Sequence, residues 1–156
     1  MDNTDQPERA GTVPTVLVVD DNEEVLEFLL LLLSKHGLSA LGATSGNECL
    51  SIVKSRPVDL IVLDVMMTVM DGLQVCRELK NICPSVPVIL LTARDDMTTR
   101  AAAMDLGVSE FVAKPVNNRD LLNRIRTQLN NLAWNKTANQ VVSKIEKSTQ
   151  PPENKK

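Results

Sequence analysis

The sequence predicts an α/β fold, a doubly wound parallel sheet of five strands in the order 2-1-3-4-5 with five helices. Five short apolar runs alternate with five longer amphipathic segments between Thr15 and Trp134, which is typical of strands joined by helical crossovers. The run Leu60-Ile61-Val62-Leu63 is apolar at every position, as expected of a strand covered on both faces. Crossovers of the usual hand favour the order 2-1-3-4-5, in which the first and third strands are neighbours.

Local sequence signals predict the structure of residues 1–37. Residues 1–14 are polar and are broken by two prolines and a glycine, which predicts a disordered leader. The first strand is predicted within 15–22, where a β-branched run ends in two aspartates. A helix is predicted over 22–37, because Asn22 can cap its start and Gly37 can end it behind basic side chains that suit the helix dipole.

The same alternation continues to the last helix. Further strands are predicted at 39–44, 58–64, 86–93 and 110–114. Further helices are predicted at 45–56, 72–83, 95–107 and 117–134. Two of these helices stop before a proline, and one ends at Gly107. We therefore expect one domain over 15–134, followed by a polar, disordered tail over 135–156.

Composition excludes several classes of protein. The 156 residues are 43% hydrophobic and carry a net charge of −3, so no basic field is present to recruit nucleic acid or anionic lipid. The longest apolar stretch, from Phe28 to Leu33, is far short of the roughly 20 residues that cross a bilayer. The first residues lack the apolar segment of a signal peptide, and the three cysteines form no C-x-x-C pair. We expect a cytoplasmic protein with reduced thiols, without membrane insertion or direct nucleic-acid contact.

Polar residues stand at the carboxyl ends of four of the predicted strands. Asp20 and Asp21 end the first strand, Asp64 the third, Thr92 the fourth and Lys114 the fifth. Ligands of open parallel sheets bind outside these ends, where the strand order reverses. Three carboxylates, a hydroxyl and an ammonium are therefore expected to converge in one cleft.

The chemistry of these groups is mutually consistent. Clustered carboxylates raise one another's pKa unless a cation lies among them, and oxygen ligands without His or Cys suit Mg²⁺. Lys114 and Thr92 could hold phosphoryl oxygens, which leaves Asp64 as a nucleophile able to form an acyl phosphate. Each aspartate alone is more often a helix cap or a turn residue; their convergence favours a phosphate acceptor.

At these residues the chain resembles the response-regulator receiver domains of two-component signal transduction, in particular single-domain chemotaxis regulators. The resemblance covers Thr15 to Leu132 and rests on "VVDDN", "LDVMMTVMDG", "LTA" and "AKP", in that order. It implies a flavodoxin-like fold and a bacterial phosphorelay phosphoprotein. It also implies that Asp21 and Asp64 bind Mg²⁺, with Asp20 in support and the Met66 backbone carbonyl completing the protein ligands.

The resemblance also implies roles in signalling. Asp64 would take phosphate from a sensor histidine kinase or a phosphotransfer protein, Thr92 would bind a phosphoryl oxygen, and Lys114 would pair with it. Phe111 matches the aromatic side chain that turns inward on activation. The fourth helix, fifth strand and fifth helix would then present a changed surface to an unknown output protein or to a second copy. The chain would catalyse only its own phosphorylation and dephosphorylation.

Two details of the loops carry separate expectations. The Lys114–Pro115 bond is predicted to be cis, because the chain must turn sharply to aim Lys114 into the cleft and the resemblance points the same way. Thr68 departs from the family pattern D-x-x-M-P-x-M-D-G, in which a proline is usual at this position. A residue other than proline frees φ and adds a possible donor beside the acceptor, which allows a more mobile loop and altered rates.

Other functions and arrangements are compatible with parts of the pattern. An Mg²⁺-dependent phosphatase with an aspartate nucleophile would need a second aspartate where Met66 stands. A flavodoxin-type electron carrier shares the strand order, but the acidic "DDNEEV" stands here in place of its phosphate-binding loop and would repel phosphate.

The polar residues after Trp134 are too few for an output domain, so the chain is either a single-domain regulator that acts by docking or part of a longer regulator.

Overall fold

The sheet has the predicted number and order of strands. The computed structural model describes residues 13–93 and 96–149. Its strands are β1 (Thr15–Val19), β2 (Ser39–Ala43), β3 (Leu60–Asp64), β4 (Val88–Ala93) and β5 (Glu110–Lys114). They pair in the order β2-β1-β3-β4-β5, and every pair is parallel. β1 and β3 are therefore neighbours, which confirms the expectation on which the cleft depends.

Helices follow each strand, as predicted. They are α1 (Glu23–Lys35), α2 (Gly46–Ser55), α3 (Gly72–Ile82), α4 (Met97–Asp105) and α5 (Asn118–Thr149). The start of α1 is capped by Asn22, whose side chain accepts hydrogen bonds from the N–H groups of Glu24 and Val25. Because Asn22 caps the helix, Asp20 and Asp21 are not needed for that role.

The core lies on both faces of the sheet. Alternate strand residues point to opposite faces, so each face has its own apolar layer. One layer joins the sheet to α1 and α5 through Val16, Val18, Leu60, Val62, Ile89, Leu91, Val112, Leu26, Leu29, Leu33, Leu121, Leu122 and Ile125. The other joins it to α2, α3 and α4 through Leu17, Val19, Ile61, Leu63, Leu90, Cys49, Leu50, Val75, Cys76, Leu79 and Ala103. These layers fix the strand ends that carry the polar residues.

The cysteines belong to the second layer. Cys49 and Cys76 are buried and Cys83 is half-buried, and all three are free thiols. Burial raises the pKa of Cys49 to about 12 and that of Cys76 to about 11, so both thiols stay protonated at neutral pH.

Within the described part of the chain, none of the helices is both long and apolar enough to span a membrane.

The end of α5 differs from the prediction. The sequence predicted a helix to Trp134 and a disordered tail over 135–156, but the helix continues to Thr149. Residues 135–149 contain neither proline nor glycine, and the next proline is Pro151, so the segment has no residue that breaks a helix. The remaining tail residues, 150–156, and leader residues 1–12 lie outside the described residues.

Candidate functional site

Three carboxylates meet at the carboxyl edge of the sheet. Asp20 and Asp21 follow β1, and Asp64 is the last residue of β3. The register pairs Val19 with Leu63, so the residues that come next, Asp20 and Asp64, lie side by side. One carboxylate oxygen from each of the three aspartates lies within 4.8 Å of the other two. The predicted convergence of the aspartates is therefore present in the fold.

Asp20 is a buried carboxylate held by backbone. Asp20 is only 2% exposed, and its Oδ1 accepts a hydrogen bond of 2.9 Å from the N–H of Asn22. Burial raises the pKa of Asp20 above its ordinary value; the Asn22 N–H opposes this shift, and the charge of Asp64 adds to it. A positive ion among the three aspartates would relieve both unfavourable effects.

Asp64 is paired with Lys114. The Asp64 residue is 2% exposed, and its Oδ1 accepts hydrogen bonds from Lys114 Nζ at 2.7 Å and from the N–H of Met66 at 3.1 Å. Lys114 ends β5 and precedes a cis peptide bond to Pro115, as predicted. Among the described residues no donor reaches Oδ2 of Asp64, so this oxygen keeps its lone pairs for another partner.

Asp21 has a partner that sequence reasoning did not identify. The Asp21 side chain is exposed, and its Oδ2 accepts two hydrogen bonds from Thr68, one from the N–H at 3.0 Å and one from the hydroxyl at 2.6 Å. These bonds, the hydroxyl one above all, hold the pKa of Asp21 below its ordinary value. The donor expected from the absence of proline thus exists, and it binds a carboxylate of the site.

Thr92 lies on β4 and Phe111 on β5, and neither side chain forms a hydrogen bond with the three carboxylates. Thr92 is fully buried near the end of β4, and its hydroxyl donates to the carbonyl of Ala93 at 3.4 Å. Phe111 is half-buried on β5, packed against the layer formed by α2, α3 and α4. The guanidinium carbon of Arg100, on α4, lies 5.6 Å from the centre of its ring, a cation–π contact.

The donor set fits Mg²⁺. All candidate ligands are carboxylate oxygens, the ligand type that Mg²⁺ prefers, and one oxygen of each lies within 4.8 Å of the other two. Three carboxylates face one ammonium, Lys114, so a divalent cation would balance the remaining charge. Asp20, Asp21 and Asp64 are therefore the residues that could hold the metal. Met66 here contributes its N–H to Asp64, and the role of its carbonyl stays a prediction.

Comparisons with known proteins cover most of this chain. Residues 16–126 match the family model of the response regulator receiver domain. The response regulator MprA of Mycolicibacterium vanbaalenii is 42% identical over 114 residues, which cover 73% of this chain and 49% of that protein. MprA of Mycobacterium bovis (strain BCG / Pasteur 1173P2) is also 42% identical and is covered to 50%. The chain spans about half the length of these curated relatives.

Solved structures resemble the fold. A CheY-like response regulator receiver domain protein from Methanospirillum hungatei JF-1 has a TM-score of 0.77 at 22% identity, and the match covers 80% of this chain and 99% of that one. At this identity the likeness concerns the fold alone. A response regulator receiver domain protein from Clostridium thermocellum has a TM-score of 0.70 at 31% identity, and the match covers 81% of this chain and 98% of that one.

Proposed function

This chain belongs to the response regulator receiver domain family, and we propose that it accepts a phosphoryl group on Asp64 from a histidine kinase or a phosphotransfer protein. One observation carries the proposal. The Asp64 carboxylate is buried at the end of β3, beside the carboxylates of Asp20 and Asp21, and is paired with Lys114 at 2.7 Å. A buried nucleophile with a cation site and an ammonium around it is suited to phosphoryl transfer.

The metal would be held by Asp20, Asp21 and Asp64, with the Met66 carbonyl as the family pattern implies. When bound, Mg²⁺ supplies positive charge that offsets the charge of the phosphoryl oxygens and of the attacking carboxylate. Asp20 is fixed by burial and by the Asn22 N–H, and Asp64 by the Met66 N–H. Both carboxylates are thereby oriented before any ligand binds, which lowers the cost of assembling the site.

Transfer would exchange one bond to phosphorus for another. An oxygen of Asp64 attacks the phosphorus of a phosphohistidine, the new O–P bond forms, and the P–N bond breaks with its electron pair staying on the imidazole nitrogen. Lys114 moves its contact from the carboxylate to a phosphoryl oxygen, and the hydroxyl of Thr92 donates to another. Thr92 would have to turn away from the carbonyl of Ala93, its present acceptor.

The output would be a change of binding surface. Thr92 lies on β4 next to β5, which carries Phe111, and Arg100 links α4 to that ring. A shift of Thr92 toward the phosphoryl group would let Phe111 turn inward and would change the surface of α4, β5 and α5. We propose that an output protein, or a second copy of the chain, binds this surface. The receiver domain would occupy residues 15–134, in a bacterial cytoplasm, without enzymatic activity on other substrates.

Metal removal gives the direct test of this function. Incubation with acetyl phosphate and Mg²⁺ is expected to add the mass of one phosphoryl group, because Asp20 and Asp21 would serve as metal ligands and Asp64 alone as the acceptor. Chelation with EDTA is expected to stop the uptake, because the charge of the three carboxylates then repels the donor. Intact-mass spectrometry measures both results. Uptake at the same rate in EDTA, or uptake of several groups, would contradict the proposal.

A further inference from the structure

Thr68 connects two loops of the site that are distant in sequence. It lies between β3 and α3, and both of its hydrogen bonds reach Asp21, 47 residues earlier in the chain. The hydroxyl bond, at 2.6 Å, is short, as expected for a donor to an ionised carboxylate. Both bonds end on the same oxygen, Oδ2, so Thr68 does not occupy the second oxygen of Asp21.

These contacts depend on the departure of this chain from the family pattern. Proline has neither an N–H nor a hydroxyl, so the usual residue at this position could form neither bond. Without proline, the backbone at position 68 can rotate about φ. The two hydrogen bonds to Asp21 restrain it by connecting it to the loop after β1. Threonine at this position therefore lacks the fixed φ of proline but contacts Asp21, a candidate metal ligand.

We propose that Thr68 is a positioning residue for Mg²⁺ binding, which holds one oxygen of Asp21 so that the other is presented to the cation. The inference rests on the proposed function, since it needs the metal site formed by Asp20, Asp21 and Asp64. Among these three, Asp21 is the exposed one, whereas the other two are buried. An exposed carboxylate has more orientations to lose on binding, so it gains most from being held in advance.

Two effects of Thr68 oppose each other. The donors withdraw charge from the carboxylate, which weakens its attraction for a cation, and they fix its orientation, which strengthens binding. At an exposed side chain the electrostatic effect is screened by water. Orientation of a ligand by its hydrogen-bond partners is not screened, and loss of such partners typically weakens metal binding by about 10- to 100-fold. The second effect therefore dominates.

The test compares Thr68→Val with Thr68→Ser. Valine has nearly the shape of threonine but no hydroxyl, whereas serine keeps both donors. The Mg²⁺ dissociation constant, measured by isothermal titration calorimetry, is expected to rise about tenfold in Thr68→Val and to stay within roughly twofold of the wild type in Thr68→Ser. Thr68→Val binding as tightly as the wild type, or Thr68→Ser binding as weakly as Thr68→Val, would overturn the inference.

The chain offers a matched control at Thr44. Its N–H and hydroxyl both donate to Glu48 Oε1, at 2.8 and 3.2 Å, outside the three-aspartate site. Thr44→Val makes the same chemical change and is expected to leave the Mg²⁺ dissociation constant unaltered. Thermal unfolding in EDTA separates a loss of stability from a loss of binding. An equal weakening of Mg²⁺ binding in Thr44→Val and Thr68→Val would contradict a specific role of Thr68.

Failure of this inference is distinguishable from failure of the proposed function. Asp20→Asn removes a carboxylate of the metal site and is expected to weaken Mg²⁺ binding strongly. If the wild type does not bind Mg²⁺, or Asp20→Asn binds it equally well, the metal site itself is wrong. If Asp20→Asn loses binding while Thr68→Val keeps it, the metal site stands and the role of Thr68 is refuted.

Discussion

Replacement of Asp64 by asparagine is expected to abolish phosphoryl uptake, with a loss in rate of at least about 1,000-fold, as for other nucleophiles that are removed. An amide oxygen carries no negative charge and cannot form a stable acyl phosphate. Asparagine has the same shape as aspartate, and its carbonyl can still accept from Met66 N–H and Lys114 Nζ, the present donors to Oδ1. The fold should persist, and intact-mass spectrometry after incubation with acetyl phosphate measures the loss.

Asp105→Asn is the matched control for this variant. Asp105 is the last residue of α4 and is exposed, so the same substitution there should leave the rate unchanged. Circular dichroism of both variants checks that each is folded. Phosphoryl uptake by Asp64→Asn at the wild-type rate would show that another group is the acceptor.

Replacement of Gly72 by alanine should destabilise the fold strongly. A Cβ at this position would lie 2.6 Å from the Cα of Val65 and 3.1 Å from the carbonyl oxygen of Asp64. Both are backbone atoms, so the start of α3 or the end of β3 must move. We expect the free energy of unfolding to fall by about 3 kcal/mol, with slower phosphoryl uptake because the Asp64 carboxylate is displaced.

Gly46→Ala provides the comparison for Gly72→Ala. Both glycines are the first residue of a helix, so alanine brings the same gain in helix propensity. The Cβ at Gly46 would meet the Val75 Cγ2 and Met70 Sδ atoms at 2.7 and 2.8 Å. Both are side-chain rather than backbone atoms: the methionine can rotate away, and the buried Val75 must shift within the core. Chemical denaturation should show a loss of roughly 1 kcal/mol here. Equal losses in the two variants would contradict the account of the β3–α3 turn.

Much of the fold and site was predictable because it depends on strong, local patterns. The apolar runs and the intervening helical segments predicted the strands and helices, and the usual hand of the crossovers favoured the strand order. In a parallel sheet the strand order decides which carboxyl ends are neighbours. Asp20 and Asp64 are brought together by the pairing of β1 with β3, and Lys114 follows from the position of β5. The cis bond at Pro115 agrees with the expected sharp turn.

The features that were missed depend on contacts or on weak signals. Nothing local to Thr68 indicates that its donors bind Asp21, because the contact joins two loops. Likewise, the cation–π contact between Arg100 and Phe111 depends on how α4 packs over β5. The helix beyond Trp134 was missed for the opposite reason: its polar composition suggested disorder, while the absence of proline and glycine allowed α5 to continue to Thr149.

If Asp64 is the phosphoryl acceptor, chemical mapping of the modified residue must locate the phosphoryl group there. Borohydride reduces an acyl phosphate to an alcohol, so a phosphorylated aspartate becomes homoserine, and tandem mass spectrometry locates it. After treatment with acetyl phosphate and Mg²⁺, we expect homoserine at position 64 and unmodified aspartate at positions 20 and 21. Homoserine at either of those positions, or stable phosphate on a hydroxyl with position 64 unmodified, would contradict this assignment.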